Sequence, residues 1–153
     1  MIPAIRLLYA QLGRFPLPVI ELVFRIGVGM VFFKSALTKL DDGWMVSDTA
    51  VQLFAEEYKV PLLSPVVAAH LGTAVEFFGA ILIMVGLASR PAAAALLGLT
   101  AVIQFTVYPG NWAEHLLWAG LLAYVLTRGP GPLSLDHVLA GRVLGRPAMP
   151  GMA

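Results

Sequence analysis

Four long apolar stretches dominate the chain. They cover residues 18–40, 64–87, 91–107 and 112–128. Each is a continuous run rich in Ala, Leu and Gly, without the alternation of a half-buried strand, so each predicts a helix. A membrane-spanning helix needs about 20 predominantly apolar residues, and lipid tolerates only segments whose backbone hydrogen bonds are satisfied internally. The pattern therefore predicts four membrane-spanning helices.

Proline and glycine mark the ends of these stretches. Pro18, Pro65 and Pro91 stand at predicted helix starts, where proline is well tolerated, and the run Gly129–Pro132 ends the fourth helix. The turns after the second and third helices are short, so neighbouring helices should be antiparallel. The chain is expected to be a single all-α membrane domain over residues 1–153, built as a four-helix bundle.

Composition supports lipid as the main solvent. Of the 153 residues, 59% are hydrophobic and 12% are charged, whereas a typical soluble domain has about 25% charged residues. This balance argues against a cytosolic enzyme and a disordered chain. The net charge of +1 without a basic run argues against nucleic acid as a partner. Because the chain has no cysteine, redox chemistry would need a bound cofactor or a partner protein.

The basic residues predict the orientation. Under four spans, one side carries Arg6, Arg14, Arg90, Arg128, Arg142 and Arg146. By the positive-inside rule both termini are then cytoplasmic. At the N-terminus, Ile5–Leu12 predicts an amphipathic helix on the inner surface.

The long loop over residues 41–63 is expected outside and contains a predicted interfacial helix. Thr49 and Gln52 fit a capping box, and Phe54 and Tyr58 belong to an apolar stripe. The helix is either a lid on the outer mouth of the bundle or a filler without a role.

Ionisable residues inside the apolar stretches are costly in lipid, so they are the informative ones. They are Glu21, Arg25, Lys34, Lys39, His70, Glu76, Glu114 and His115. On the first helix, Glu21 and Arg25 have the spacing of an i, i+4 pair. Arg25 and Lys39 also lie on a stripe with small residues that should face the bundle interior, and Lys34 should face outwards.

On the second helix, His70, Thr73 and Glu76 are expected on one inward face. A Glu76–Arg25 pair across the bundle is within reach. Two interpretations of Glu76 remain open. It can be a charge partner that fixes helix packing, or a catalytic carboxylate that binds a quinone or carries protons.

A second polar group is expected near the outer face. His70, His115, Glu114 and Lys39 lie at similar depth, and together they can hydrogen-bond a quinone carbonyl, ligate a haem or bind copper. The histidines lack the spacing of a metal motif, so the identity of any metal stays unknown. Gly72, Gly79 and Gly86 recur every seven residues on the second helix and predict a close-packing seam.

The ordered set of motifs resembles the DoxX family of small bacterial membrane proteins. The first helix contributes Arg25-x-x-x-Gly29 with Phe32 and Lys39. The second contributes Glu76–Ala80 followed by Gly86-Leu87-x-x-Arg90. The segment Gly129–Asp136, a glycine-rich turn that leads into Ser-Leu-Asp, completes the pattern, and Ser134 is a candidate helix N-cap.

The resemblance implies a multi-pass protein of the bacterial inner membrane, similar to a subunit of thiosulfate:quinone oxidoreductase or of systems that handle thiol or oxidative stress. Carried over, the family's acids are Glu76 and Asp136 and its basic residues are Arg25 and Lys39. His70 and His115 stand outside the common pattern and indicate a subgroup feature.

These observations favour a small subunit of a quinone-linked redox system. Its lipophilic pocket near the outer leaflet would be bounded by His70, Glu76, Lys39, Glu114 and His115, with a histidine as hydrogen-bond donor. Arg25 is a further candidate cofactor-binding residue. The expected partners are the lipid bilayer and a redox protein or a second copy. Two alternatives remain: a haem- or copper-binding protein of a metal-stress system, and a non-catalytic assembly module. The sequence leaves open whether the chain is itself an enzyme.

Overall fold

The structure is a computed structural model that describes residues 5–6, 10–11 and 13–144, with side chains to Arg142. In this part of the chain, helices are connected by loops and turns. The helices are α1 (Leu17–Leu37), α2 (Asp48–Leu53), α3 (Pro65–Val85), α4 (Ser89–Val102), α5 (Trp112–Arg128) and α6 (Leu135–Leu144). Two of them continue as single π-helical turns, α2 through Phe54–Tyr58 and α4 through Ile103–Val107. The prediction of an all-helical fold is confirmed, since residues 13–144 contain no strand.

The long helices lie close to the four apolar stretches because local signals define their ends. Prolines occupy the first turns of α1 and α3, and the Ser64 hydroxyl accepts a hydrogen bond from Val67 N at the start of α3. Gly86 ends α3 in the left-handed conformation, with φ of 72°, which glycine adopts without strain. Of the predicted N-terminal helix, residues 5, 6, 10 and 11 are helical; its other positions and Arg146 lie outside the described residues.

The loop between α1 and α3 contains the expected helix, but the predicted cap is wrong. Helix α2 is capped by Ser47, whose hydroxyl accepts a hydrogen bond from Ala50 N at 3.1 Å. Thr49 and Gln52 lie inside the helix. Ser47 is the N-cap because its backbone is extended, with ψ of 151°, as this position requires.

Each long helix packs against two others: α1 against α3 and α5, and α4 against α3 and α5. Their common core is aliphatic, with Val28, Ile83, Leu96 and Leu122 fully buried. The predicted inward stripe of α1 is confirmed, because Arg25, Gly29, Phe32, Ala36 and Lys39 are all buried, whereas Lys34 is exposed.

Two glycines of α3 allow close approach, as predicted. A Cβ at Gly79 would lie 3.0 Å from Leu96 Cγ of α4, and one at Gly72 would lie 3.2 Å from Phe54 Cζ of the loop. The seam therefore holds both α4 and the π-helical turn after α2 against α3.

One end of the long helices contains residues 86–90 and 129–136 and is called the closed end. Hydrogen bonds between residues distant in sequence stabilise it. The Arg25 guanidinium donates hydrogen bonds to the carbonyl oxygens of Ile83, Met84 and Leu133. The Asp136 carboxylate accepts from Ala88 N and Ser89 N at 2.8 and 2.9 Å, at the N-terminus of α4. The opposite end of the long helices, next to the 41–63 loop, is called the cavity end below.

Helix α6 begins as the sequence predicts. The Ser134 hydroxyl accepts a hydrogen bond from His137 N at 3.2 Å, which satisfies a free amide in the first turn. Asp136 N also donates to the Gly86 carbonyl at 2.8 Å. The start of α6 is thus attached directly to the turn between α3 and α4.

The Arg25 contacts correct two predictions. Among residues 13–142, Arg25 forms no ion pair with Glu21 or with Glu76. Glu21 accepts a hydrogen bond from the Tyr124 hydroxyl at 2.9 Å instead. Because α1 and α3 are antiparallel, Arg25 lies opposite Gly86, about three helical turns from the level of Glu76.

The outward faces of the long helices are apolar. Large hydrophobic side chains exposed there include Val23, Ile26, Met30, Leu71, Phe78, Val85, Phe105, Leu116 and Leu117. Soluble monomers rarely expose contiguous apolar surface of this kind. Two helical segments, Pro65–Val85 and Ser89–Val107, are long and apolar enough to cross a membrane by length and composition.

Candidate functional site: a cavity beside a buried ion pair

A cavity of about 240 Å³ lies among the long helices at the cavity end, under the loop. Its walls are mostly apolar and aromatic: Val31, Phe32, Phe54, Tyr58, Val60, Leu99, Val102, Ile103, Val107, Tyr108 and Trp118. The polar lining residues are Ser35, Lys39, Glu76, Asn111, Glu114 and His115. An apolar cavity with a few convergent polar groups is typical of a small-molecule site.

The centre of the polar wall is an ion pair between Lys39, in the turn just after α1, and Glu76 of α3. Lys39 Nζ lies 2.7 Å from Glu76 Oε2. The ammonium also donates to the carbonyl oxygen of Ser35 at 3.1 Å and to its hydroxyl at 2.8 Å, so its three N–H bonds are all used. The Ser35 hydroxyl in turn donates to Glu76 Oε1 at 3.1 Å.

The antiparallel register of α1 and α3 explains this pairing. Ser35 and Lys39 lie one turn apart on the inward stripe of α1, and that stretch faces Glu76. A buried charge without a partner is strongly unfavourable. Lys39 therefore supplies the compensating positive charge for which Arg25 was a candidate.

The second polar wall comes from α5 and the π-helical turn after α4. His115 is buried, and its Nδ1 lies 2.6 Å from Gln104 Oε1. The Gln104 amide nitrogen donates to the Pro109 carbonyl oxygen at 2.9 Å. The His115 ring also packs on Trp118, with ring centroids 5.0 Å apart. Single π-helical turns within α-helices are frequent at functional sites.

The loop covers the cavity with aromatic side chains. Phe54 is buried over Gly72, and its ring is 4.9 Å from that of Tyr58 in an edge-to-face arrangement. Tyr58 packs in turn on Tyr108, with centroids 6.1 Å apart. Burial raises the pKa of Tyr58 above its usual range, and the nearby Tyr108 side chain raises it further.

The structure brings four of the predicted site residues to this cavity and leaves two elsewhere. Lys39, Glu76, Glu114 and His115 line it, with Glu114 exposed at the rim. Arg25 lies at the closed end.

His70 does not line the cavity either. Its side chain is exposed, and its Nδ1 lies 2.8 Å from the Val66 carbonyl of its own helix. The expected common face of His70 and Glu76 is wrong, since six residues turn an α-helix by about 240°, which leaves the two side chains about 120° apart.

Four lining or positioning residues were not predicted from the sequence: Ser35, Gln104, Tyr108 and Asn111. Gln104 carried a usable signal, because an uncharged amide inside the third apolar stretch needs hydrogen-bond partners when buried. The neutral Ser35 and the turn residues carried no comparable signal.

Among the described residues, no group of three or more His, Asp and Glu side chains is arranged to hold a metal ion. The two histidines proposed as ligands lie in different surroundings, one buried with Gln104 and the other exposed.

The described residues thus form an all-helical fold with apolar outer faces, a buried ion pair and a ligand-sized cavity. The chain belongs to the DoxX family: the family model, described as DoxX, matches residues 20–109. The match includes Arg25, Lys39 and Glu76 and ends before His115 and the Gly129–Asp136 segment. Comparisons with curated proteins and with solved structures find no match.

Proposed function

We propose that the protein is a multi-pass subunit of a quinone-linked redox system in the bacterial inner membrane. Its four long helices form a membrane-spanning bundle with both termini in the cytoplasm, and the cavity binds the ring of a quinone or quinol near the outer leaflet. The observation that carries the proposal is the buried Lys39–Glu76 pair in the wall of an otherwise apolar, aromatic cavity.

The chemistry of the cavity fits such a ring. Phe32, Phe54 and Trp118 offer aromatic faces on which a flat ring can pack. Ligand sites for larger molecules have volumes of about 300–1,000 Å³, so a cavity of about 240 Å³ suits a single substituted ring. An isoprenoid tail would then lie outside the cavity, along the apolar outer faces of the helices.

The polar residues would orient the ring and handle its protons. A quinone couple supplies two-electron, two-proton redox chemistry when bound. Glu76 keeps unused lone pairs after its bonds to Lys39 and Ser35, so it can accept a hydrogen bond from the ring. Glu114 at the rim can pass a proton to the surrounding water. Electrons would be exchanged with a partner redox protein, since the chain has no cysteine.

The orientation can be tested directly because the chain has no native cysteine. Single cysteines at Asp42 and Leu62 of the loop, and at Ala140 of α6, can be labelled in intact cells with a membrane-impermeant maleimide. The proposal expects labelling at the two loop positions, and at Ala140 only after lysis. Labelling of Ala140 in intact cells would contradict the cytoplasmic C-terminus.

Binding is tested with purified protein in lipid nanodiscs. Decylubiquinone and menadione, each oxidised and reduced, are titrated while tryptophan fluorescence is followed. Trp118→Phe identifies the part of the signal that comes from the cavity. We expect Glu76→Gln to weaken binding by about tenfold, because a buried hydrogen bond to a carboxylate is stronger than one to a neutral amide oxygen.

Lys34→Gln is the matched control. Lys34 lies in α1, five residues before Lys39, but is exposed, so its loss should leave the affinity unchanged. If a folded variant carrying both Glu76→Gln and His115→Gln binds every form of both probes as the wild type does, the proposal is wrong.

The other candidate functions are outcomes of the same preparation. A haem or copper site predicts visible absorption or bound copper that His115→Gln removes. An assembly module predicts no binding of either probe, together with loss of a partner's membrane association when the chain is deleted.

A further inference from the structure

Helix α6 extends from the closed end with one apolar face exposed. We infer that α6 lies in the headgroup region of the membrane leaflet at the closed end, and that the arginines around it bind the phosphate groups of anionic lipids. The inference requires the membrane-spanning bundle of the proposed function. It is independent of a quinone and of which side of the membrane is cytoplasmic.

The apolar side chains of α6 lie on one stripe. Leu135, Val138 and Leu139 have the i, i+3, i+4 spacing of a single helical face, and Arg142 continues it at i+7. The three aliphatic side chains are each 45% exposed, so the part of the chain that the structure describes leaves the stripe half uncovered. This pattern suits a helix in a membrane interface, because the long arginine side chain reaches the headgroups while the aliphatic side chains contact acyl chains.

Hydrogen bonds to the turn between α3 and α4 fix the direction of the stripe. The Asp136 carboxylate accepts from Ala88 N and Ser89 N, and Asp136 N donates to the Gly86 carbonyl. Asp136 therefore faces the bundle. Since successive residues of an α-helix are turned by about 100°, the stripe that begins at Leu135 points sideways from the bundle and not into it.

The exposed charges at the two ends of the bundle differ in sign. Among the described residues at or next to the closed end, the exposed side chains that are charged at neutral pH are all basic: Arg14, Arg90, Arg128 and Arg142. The acidic residues there are already hydrogen-bonded, Asp136 to the amides of α4 and Glu21 to the Tyr124 hydroxyl. The 41–63 loop at the cavity end instead exposes Asp41, Asp42, Asp48, Glu56 and Glu57, together with Lys59. Anionic headgroups therefore match the closed end and not the cavity end.

Two of the four arginines lie on adjacent helix ends. Arg90 Nη2 donates to the Thr127 carbonyl at 3.4 Å, which places the first turn of α4 beside the last turn of α5, where Arg128 lies. Among residues 13–142, none of the four guanidinium groups forms an ion pair with a carboxylate. Because a guanidinium group binds a phosphate through two parallel N–H bonds, these groups are suited to lipid phosphates.

A protein partner does not fit this face as well as lipid does. A stable protein interface buries about 800 Å² on each partner, and three half-exposed aliphatic side chains with one arginine fall well short of that area. A lipid surface needs no such area, because the long helices already hold α6 at the membrane. The apolar surface also continues at this end, where Phe15, Leu17 and Leu133 are exposed.

The first test locates the stripe in purified full-length protein. The chain has no native cysteine, so Leu139→Cys on the stripe and His137→Cys on the opposite face of α6 can each carry a bimane fluorophore. The nanodiscs contain equal amounts of phosphatidylcholine and phosphatidylglycerol. Lipids brominated in their acyl chains should quench the label at position 139 and shift its emission to the blue, and should leave the label at position 137 in water.

Two results of this test would overturn the inference. Equal quenching at both positions, or at neither, would show that the stripe does not contact lipid. A label at position 139 that is shielded from water and from brominated lipid would identify a second copy of the chain as the occupant.

The second test measures the headgroup preference. Native mass spectrometry of the detergent-solubilised protein resolves the first bound lipid, and titrations give its dissociation constants for phosphatidylglycerol and for phosphatidylcholine. We expect phosphatidylglycerol to bind more tightly. One arginine near an anionic surface is worth about fivefold in affinity. The double variant Arg128→Gln, Arg142→Gln should therefore weaken binding of phosphatidylglycerol by at least about fivefold and leave phosphatidylcholine unchanged.

The double variant Lys34→Gln, Lys59→Gln is the matched control, since it removes the same charge from exposed positions away from the closed end. It should keep the preference. Equal affinity of the wild type for the two lipids, or an equal loss in the two double variants, would show that the arginines do not select anionic lipid. Neither test uses a quinone, so failure of the quinone probes leaves this inference standing, and its own failure leaves the function of the cavity untouched.

Discussion

Lys39 Nζ lies 2.7 Å from Glu76 Oε2, and the two side chains are 7% and 5% exposed. Both charges are therefore removed from solvent and depend on each other. The pair joins α1 to α3 at the level of the cavity, so it serves packing and presents a carboxylate to a ligand at the same time. These two roles respond differently to substitution.

Removal of one partner should be more harmful than removal of both. Lys39→Met leaves the Glu76 carboxylate buried without its cation, and loss of one partner of a buried pair typically costs about 3–5 kcal/mol. The double variant Lys39→Met, Glu76→Met leaves no charge and should recover most of this loss. Denaturant unfolding in detergent micelles measures the free energy of unfolding of the wild type, of Lys39→Met and of the double variant.

Lys34 is again the control because its side chain is exposed. Lys34→Met should change the free energy of unfolding by less than about 0.5 kcal/mol. A double variant that is less stable than Lys39→Met would show that the two residues act independently. The recovered double variant should still fail to bind the quinone or quinol ring, which separates packing from binding.

Helix positions were predictable because they depend on local signals. Long apolar runs that begin near Pro65 and Pro91 and a run that ends at Gly129 locate α3, α4 and α5 to within a few residues. The buried stripe of α1 was predictable for the same reason, since the helical period alone places Arg25, Gly29 and Lys39 together. The Ser134 cap needed only a short motif.

Partners across helices were not predictable to the same degree. Glu76 pairs with Lys39 and not with Arg25 because of the vertical register of two antiparallel helices, which tertiary packing decides. The Gln104–His115 contact likewise depends on a π-helical turn, which no local sequence signal predicts. Candidate site residues could thus be selected from the sequence, but their pairing could not.

The Asp136 carboxylate should make stability depend on acid. Its burial by itself raises the pKa, but hydrogen bonds from Ser89 and Ala88 and the charge of Arg25 outweigh this, so the pKa lies below the usual 3.8. Stability from this group is therefore present above pH 3.8 and is lost as the pH falls through the lower folded value.

Asp136→Asn is expected to cost about 0.5–2 kcal/mol at neutral pH, as for loss of a helix cap. It should also flatten the decline of the melting temperature between about pH 5 and 2. Melting curves across this range, compared with Asp42→Asn in the exposed loop, test both effects. An unchanged acid decline in Asp136→Asn would show that other carboxylates dominate.

Gly86 should be intolerant of any side chain. Its φ of 72° disfavours L-residues, and a Cβ there would collide with Arg25 Nη1 and with Ser134. The backbone alone costs about 1–2 kcal/mol, and displacement of Arg25 adds to it. Gly86→Ala should lower the unfolding free energy by more than this amount.

Gly27→Ala gives the opposite expectation. A Cβ at Gly27 meets nothing within 4 Å, and alanine is favoured over glycine inside a helix by about 0.5–1 kcal/mol. The two variants add the same methyl group, so equal effects on the unfolding free energy would contradict the role assigned to the closed end.

Phe54 holds the loop over the cavity through its contacts with Gly72 and Tyr58. Phe54→Ala should detach the segment 47–58 from α3 without unfolding the long helices, because the main core lies elsewhere. Hydrogen exchange should rise in that segment by at least about tenfold, while α3 and α4 stay protected.

Leu62→Ala is the control within the same loop, since Leu62 is fully exposed. Equal exchange in the two variants would show that Phe54 does not fasten the loop. Global loss of protection in Phe54→Ala would show that the loop belongs to the core.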